Sequence, residues 1–234
     1  MTVVFITGTD TGVGKTVVVA ALAATHLAHR RSVAVIKPAQ TGVAPDEPGD
    51  LDEIKRLAGP VDTVEGVRLP DPLAPDRAAL VAGIQLPSLH AQRDLVLDAA
   101  ATHDVVLVEG AGGVTVNLGE SFSLLDIATE LDTAGQPADW LVVAHCGLGT
   151  LNHSRLTVGA IRGRGLPIRG LVIGAFPAEP SVVDRYNVTD LPRYTEVPLI
   201  GVVPEHASQL PPPRFRTQAP RWFSIQDIGP AGPL

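Results

Sequence analysis

Val3-Val4-Phe5-Ile6-Thr7-Gly8-Thr9-Asp10-Thr11-Gly12-Val13-Gly14-Lys15-Thr16 passes from an apolar run through a glycine-rich turn into a helix-period segment. A strand ending in such a turn aims successive backbone N–H groups inward, and the following helix adds its positive end, so the whole makes an anion cradle. Gly8, Gly12 and Gly14 permit close approach and positive φ. In this pattern Lys15 contacts the β- and γ-phosphates of a nucleotide and the Thr16 hydroxyl ligates Mg²⁺. The spacing departs from the standard loop in one respect: Thr9 stands where the first glycine is usual, and Gly8 lies one position earlier. The chain holds three lysines against fifteen arginines, and two of them, Lys15 and Lys37, follow apolar runs. A chain that takes its other positive charge from arginine keeps lysine where a compact ammonium must reach between phosphate oxygens.

At 234 residues, 45% apolar and 18% charged, the composition is globular. It predicts one α/β domain over residues 1–234 with a sizeable core. The formal net charge of -7, with no basic cluster to offset it, argues against a nucleic-acid groove. Cys146 is the single cysteine, so no intrachain disulfide forms, and its small, apolar neighbours indicate a buried thiol. The chain enters a strand by Val3 with no charged leader or cleavage site, which reads as no signal peptide. Apolar runs of four to eight residues are too short to span a bilayer. The expectation is a soluble, cytoplasmic protein with no membrane partner.

Short apolar runs alternate with longer helix-period segments, the pattern of a mostly parallel sheet covered by helices on both faces. Strands are predicted at 3–7, 33–37, 105–109, 141–144, 171–174 and 199–203, and helices at 15–29, 51–57, 89–101, 123–131, 151–164 and 182–191. Residues 63–68 read as a further strand or a crossing segment. Residues 43–50 and 69–77, rich in Pro and Asp, read as loops. The sheet is expected to end near 203, leaving 204–234 as a C-terminal extension, packed or partly ordered.

Asp104-Val105-Val106-Leu107-Val108-Glu109-Gly110-Ala111-Gly112-Gly113 is a second apolar strand ending on a carboxylate and a glycine-rich turn. In a phosphate-loop fold such a carboxylate reaches Mg²⁺, directly or through water, although a lone Glu after a strand also serves as a helix cap or a solvated loop residue. Lys37-Pro38-Ala39-Gln40-Thr41-Gly42 ends the second strand at the same sheet edge, where ligands of open α/β sheets gather. A snorkelling surface lysine is the other reading of Lys37. Asp50 and Asp52 open a helix and, taken alone, read as N-terminal caps. His145-Cys146-Gly147-Leu148-Gly149-Thr150-Leu151-Asn152-His153 joins the fourth strand to a helix; it reads equally as a carboxylate-binding terminus with Asn152 as an added donor, or as a plain loop capped by Thr150. The seven histidines show no metal spacing, and His26 and His29, one turn apart, read as exposed.

Taken together, Gly8 to Thr16, Lys37-Pro-x-x-Thr-Gly42, Glu109 to Gly113 and Gly149-Thr-Leu-Asn-His153 occur in the order and spacing of dethiobiotin synthetases, and the resemblance spans residues 1–203. It implies a phosphate-loop NTPase-like α/β fold and a homodimer. The implied reaction converts 7,8-diaminononanoate, CO₂ and ATP into dethiobiotin, ADP and phosphate, through a carbamate and a carbamic-phosphoric anhydride, in biotin synthesis. It also implies site residues. Thr11, Lys37 and Thr41 would hold the amine and carbamate end, with Gly110, Ala111 and Gly112 beside them. Lys15 would bridge carbamate and phosphoryl group. Thr16, Asp50 and Glu109 would hold Mg²⁺, which moves Asp50 from cap to ligand. Asp10, Gly12, Val13, Gly14 and Val17 would line the nucleotide with Lys15, Thr16, Glu109 and Gly112. Gly147, Leu148, Gly149, Thr150 and Asn152 would bind the distant substrate carboxylate from the partner subunit.

The family often places Asn after the fifth strand to read adenine, whereas Gly174 stands here, so a relaxed or non-adenine base preference is open. Pro204 and Glu205 resemble a second base-side segment. Two rivals exist: a protein-positioning ATPase, opposed by Asp10 where a signature lysine is expected, and an amide-forming cobyrinate-type synthetase, whose glutamine-hydrolysing domain has no counterpart in this length. Lys15→Arg is expected to abolish nucleotide-dependent turnover, because a planar guanidinium cannot replace an ammonium in a tight loop; wild-type kinetics from that variant would show that the loop does not grip phosphate.

Overall fold

The computed structural model describes residues 1–224. β1 (Thr2–Gly8) leads through the glycine-rich turn into α1 (Lys15–Ala28), followed by β2 (Val33–Lys37) and the two-residue β3 (Gln40–Thr41). Next come α2 (Asp50–Ala58), β4 (Asp62–Glu65), β5 (Arg68–Leu69), α3 (Pro75–Ala82) and α4 (Leu89–Thr102). The second half runs β6 (Val105–Gly113), α5 (Leu124–Thr133), β7 (Ala138–Ala144), α6 (Thr150–Arg162), β8 (Ile168–Phe176), α7 (Val182–Thr195), β9 (Leu199–Pro204) and α8 (Pro212–Gln218). Seven strands form one parallel sheet in the order β4-β2-β6-β1-β7-β8-β9, and β3 pairs with β5 apart from it.

The strands read as unbroken apolar runs because both of their faces are buried. With a side-chain period of two, Val3, Phe5, Ala34, Ile36, Val106 and Val108 enter one core, where Val96, Ile127, Val158 and Leu191 of the covering helices meet them. Val4, Ile6, Val33, Val35, Val105 and Leu107 enter the other, against Val18 and Leu22 of α1, Ile54 and Leu57 of α2, and Phe215 of α8. Each such Val, Leu, Ile or Phe contributes about 1.5–3 kcal/mol on full burial. The Cys146 thiol lies buried as expected, and burial, helped by Asp184, pushes its pKa up to about 11, so it is an inert side chain at neutral pH.

The structure corrects the sequence reading in two places and makes it definite in two others. Residues 69–77 are not all loop: Pro75 at the first helical position starts α3, and Gly83 at φ 66 ends it in a left-handed cap. The uncertain stretch 63–68 resolves into β4, a genuine edge strand beside β2, and β5. The extension after Pro204 is structured through Phe223; residues 225–234 lie outside the described residues. It covers α1, whose residues Val18 through His26 are all buried. Phe215, Ala219 and Phe223 pack on that helix's outer side, Arg216 Nε donates to Leu57 O at 3.1 Å, and Phe223 lies so close to Gly201 that a Cβ there would sit 2.5 Å from its ring.

The second correction is His26, which is buried rather than exposed, whereas His29 is at the surface. Burial, with Arg31, His29 and Arg169 nearby, pushes its pKa down to about 4. An unfolded chain binds a proton on this imidazole near pH 6.5 that the folded chain refuses until about pH 4. Stability therefore rises with pH across that window, and as pH falls through it roughly 3 kcal/mol is lost. Urea titrations of His26→Leu against the parent chain between pH 7 and pH 4 should show this acid-limb slope reduced; an unchanged slope would contradict the burial of the imidazole.

Candidate active site

Parallel register assembles the site. Ile36 lies beside Val108, and Glu109 lies beside Ile6, so Lys37 at the end of β2 comes level with Glu109 on β6, next to the phosphate turn after β1. Lys37 and Glu109 follow Val35 and Leu107 at the strand period, so their side chains point to the α1/α2 face. From there α2 offers Asp50 at its first turn.

An ammonium has three protons to give, and Lys37 Nζ meets three acceptors: Asp50 Oδ2 at 2.6 Å, Glu109 Oε1 at 2.8 Å and Gly110 O at 3.3 Å. The Lys37 side chain is 4% exposed, that of Glu109 1% and that of Asp50 33%. Burial alone would depress the Lys37 pKa; Glu109 and Asp50 outweigh it and hold the ammonium above its ordinary value. Lys37 is therefore a fixed cation, not a snorkelling one. The two acidic residues of α2 divide their roles: Asp52 Oδ2 caps the Gly49 N–H at 2.8 Å, while Asp50 turns to Lys37.

Lys15 differs. Its ammonium donates to Asp10 O at 3.0 Å and makes no ion pair among the described residues. Burial, then the like charge of Lys37, lowers its pKa. It is a cation with donors to spare. Its path explains the displaced glycine: a Cβ on Gly8 would lie 2.6 Å from Asp10 O and 2.9 Å from Lys15 Nζ. Thr9 meanwhile continues the ladder, donating its N–H to Val143 O at 2.9 Å. Gly12 and Gly14, at φ 76 and 94, turn the loop, and α1 starts with no side-chain cap, so its first N–H groups face the turn. Asp10 folds back to accept the Thr11 N–H at 2.6 Å. Gly112, at φ 64, leaves room for Thr11 Oγ1, 3.5 Å from where its Cβ would stand.

The donor set suits Mg²⁺. Glu109 Oε1 accepts from the Thr16 hydroxyl at 3.0 Å, and Oε2 is buried with no partner among the described residues. Such an orphaned acceptor is costly unless something pairs with it. No three His, Cys, Asp or Glu gather as a metal site among the described residues. Two carboxylates and one hydroxyl remain, the few oxygen donors that Mg²⁺ takes when phosphate and water supply the rest.

The other sequence candidates lie along the same edge. Thr41 sits half-buried on β3; Gly110 and Ala111 continue β6. In the turn after β7, Gly147 N–H donates to His145 Nδ1 at 3.1 Å and the buried Thr150 hydroxyl to His145 O at 2.6 Å, so both are engaged within the loop. Leu148 and Asn152 are exposed. Gly174, on β8, abuts the phosphate turn: a Cβ there would lie 2.0 Å from Val13 O. The residue after it, Ala175, is exposed. Glu205 N–H donates to Phe176 O at 2.8 Å, which ties the Pro204-Glu205 segment to the end of β8.

Sequence reasoning missed the supports. Gln92 Nε2 donates to Pro38 O at 3.0 Å beneath the Lys37 turn, Gln40 Oε1 accepts the Asp50 N–H at 2.9 Å, and Asn187 Nδ2 donates to Cys146 O at 2.6 Å beneath the Gly147 turn. Only Gln40 lies in a quoted motif, and all act across gaps that no short pattern spans.

Comparison with known proteins places this geometry. A profile described as an AAA domain matches residues 2–213. The ATP-dependent dethiobiotin synthetase BioD of Streptomyces coelicolor is 48% identical over 225 residues, covering 96% of this chain and 92% of that protein. That of Rhodococcus jostii is 50% identical over 227 residues, covering 95% of each. That of Saccharopolyspora erythraea is 51% identical over 213 residues, covering 90% of this chain and 91% of its own. Among solved structures, the cell division ATPase MinD of Pyrococcus furiosus superposes with a TM-score of 0.62 at 16% identity, over 97% of this chain and 96% of that one. A ParA family ATPase from Chlorobium tepidum gives 0.58 at 16% identity, over 97% and 96%. These structural likenesses concern the fold.

The contact at Gly174 yields a stability prediction. Gly174→Ala should force the phosphate turn off β8 and destabilise the protein by about 1–3 kcal/mol, read as a fall in the thermal midpoint; a neutral result would mean that the turn has slack.

Proposed function

The chain belongs to the ATP-dependent dethiobiotin synthetase family, and we propose that the carboxyl-edge site built by Lys15, Lys37, Asp50 and Glu109 carries out that family's reaction. The enzyme is an ATP-dependent ligase of biotin synthesis: 7,8-diaminononanoate, CO₂ and ATP give dethiobiotin, ADP and phosphate. One substrate amine adds CO₂ and loses a proton to become a carbamate. A carbamate oxygen takes the γ-phosphoryl group as ADP leaves. The second amine then attacks the carbamoyl carbon, expels phosphate, loses a proton and closes the ureido ring.

The carbamate, the transferred phosphoryl group and the leaving ADP are all anionic, so mutual repulsion is the obstacle. The chain answers with preorganised positive charge and uses no covalent nucleophile. The observation that carries the reading is the Lys37 ammonium fixed between Asp50 at 2.6 Å and Glu109 at 2.8 Å, with the less committed Lys15 ammonium in the neighbouring turn. Lys37, with Thr11 and Thr41, holds the amine and carbamate end; its longest contact, to Gly110 O at 3.3 Å, is the one a carbamate oxygen replaces. Lys15 spans the carbamate and the transferred phosphoryl group. The backbone from Gly12 to Thr16, with Asp10, Val13 and Val17 around it, cradles the phosphates, and Gly110 to Gly112 close over the reacting end. Thr16, Asp50 and Glu109 hold Mg²⁺, which when bound screens the phosphate oxygens from the incoming carbamate. Holding both amines of one substrate in attack geometry favours ring closure.

The same proposal extends to assembly. The chain acts as one α/β unit, its residues 225–234 lying outside the described ones, and works in the cytoplasm as a homodimer, in which Gly147, Leu148, Gly149, Thr150 and Asn152 of one copy hold the distant carboxylate of the substrate bound to the other. The 82% exposure of Leu148 and 66% exposure of Leu156 support a covered face at this loop. Gly174, Pro204 and Glu205 lie on the base side; with no amide at position 174, the base preference is relaxed or non-adenine.

The test is mass-spectrometric product analysis with diaminononanoate, bicarbonate, Mg²⁺ and each nucleoside triphosphate in turn. Dethiobiotin should form in step with phosphate, and Lys37→Ala should lower the rate by about 10²–10³-fold, the loss typical of one electrostatic stabiliser. Phosphate release without the ureido product would overturn the reading.

A further inference from the structure

We infer that Gln40 is a positioning residue for Asp50: its buried amide fixes the first turn of α2 so that the Asp50 carboxylate stays aimed at the site. The inference deepens the proposed function, resting on the reading of Asp50 as a holder of Mg²⁺.

The start of α2 lacks the usual means of holding itself. Its N-cap is Gly49, which has no side chain to lend. Asp52 Oδ2 is spent on the Gly49 N–H at 2.8 Å, and Gly49 O serves Asp52 and Glu53. The N–H of Asp50, the first helical residue, is among the donors that a helix leaves without an internal partner. Gln40 Oε1 takes it at 2.9 Å, from ten residues upstream.

Gln40 is held from every side. It is 4% exposed, its backbone N–H donates to Val67 O at 2.8 Å, and it stands level with Arg68 in the β3–β5 pair. Its Nε2 donates to Thr41 O at 3.3 Å, which with the Asp50 N–H sets the amide's orientation. The neighbouring Gly49 has room only because it is glycine: a Cβ would lie 3.0 Å from Gln40 Oε1 and 3.2 Å from Arg68 Nη2. Arg68 fixes the approach to the helix, donating to Glu47 O at 2.6 Å and Ala44 O at 3.2 Å, while Glu65 Oε1 takes its Nε–H at 2.7 Å.

The consequence falls on Asp50. Its carboxylate is 33% exposed, and its side-chain ion pair is with Lys37 at 2.6 Å. An ion pair made through one carboxylate oxygen does not fix where the second oxygen points; the backbone must do that. Without the Gln40 acceptor the first turn is free to shift, and the Asp50 carboxylate leaves its place beside the Lys37–Glu109 pair. Partners of this kind typically matter by about 10–100-fold in metal affinity.

The test compares Gln40→Met, which keeps the volume and removes the acceptor, with Gln40→Glu, which keeps an acceptor, and with Asp50→Asn. Two quantities are read: the Mg²⁺ concentration for half-maximal turnover, and the extra thermal stabilisation that ADP gives with Mg²⁺ over ADP in EDTA. Gln40→Met and Asp50→Asn should each raise the Mg²⁺ requirement about tenfold and shrink the Mg²⁺-dependent thermal gain, with ADP binding in EDTA unchanged. Gln40→Glu should recover part of both. If Asp50→Asn shifts the Mg²⁺ requirement and Gln40→Met does not, the positioning role is wrong while the metal reading stands. If Gln40→Met lowers only the ligand-free thermal midpoint and scales turnover at every Mg²⁺ concentration alike, Gln40 is a structural cap and the inference fails. If Asp50→Asn leaves the Mg²⁺ requirement unchanged, the metal reading falls and this inference falls with it.

Discussion

The contact between the Lys37 ammonium and the carboxylates of Glu109 and Asp50 governs the rest of the structure. Removing these charges from water is costly, and the cost is met only where geometry is tight and every donor finds an acceptor. Replacing such a cluster with packed hydrocarbon would often leave a protein as stable or more so. A charge cluster in this position is therefore explained by what it does to a ligand. The sheet order serves it: β6 lies between β1 and β2, so the carboxylate comes between the phosphate turn and the second lysine. Had β2 been next to β1, Lys37 would face the turn without Glu109 to hold it.

Much of this was legible in the chain. Strands buried on both faces read as continuous apolar runs, and six of the seven strands of the large sheet showed themselves so; the glycine-rich turns located its carboxyl edge. Lys37, Glu109 and the residues of the phosphate turn were identifiable because their chemistry is local to a strand end. Asp50 was not, since a carboxylate opening a helix reads first as a cap and only the family resemblance made it a ligand; the Lys37 contact separates it from Asp52.

What escaped was non-local. The β3–β5 pair is two residues long in each strand, too short for any periodicity. Gln40, Gln92 and Arg68 act through single hydrogen bonds to backbone atoms in other segments. His26 looked polar and hence exposed, yet the helix that carries it is apolar on all sides. That all-round apolarity was itself a signal: a surface helix keeps one wet face, so α1 called for a second cover beyond the sheet. The Pro-rich extension after β9, whose sequence carries no clear period, supplies that cover with Phe215, Ala219 and Phe223.

The cover has a consequence for the order in which the protein is made. The phosphate turn and α1 are among the first residues to leave the ribosome, and Phe215 to Phe223 follow some two hundred residues later. Throughout that interval the outer side of α1, an almost unbroken run of Val, Ala and Leu, has no protein to cover it and offers itself to chaperones or to other nascent chains. A chain cut short before Phe215 has every residue of the phosphate turn and every strand of the sheet, yet presents a greasy helix to solvent, the mark by which proteases recognise a polypeptide to be cleared.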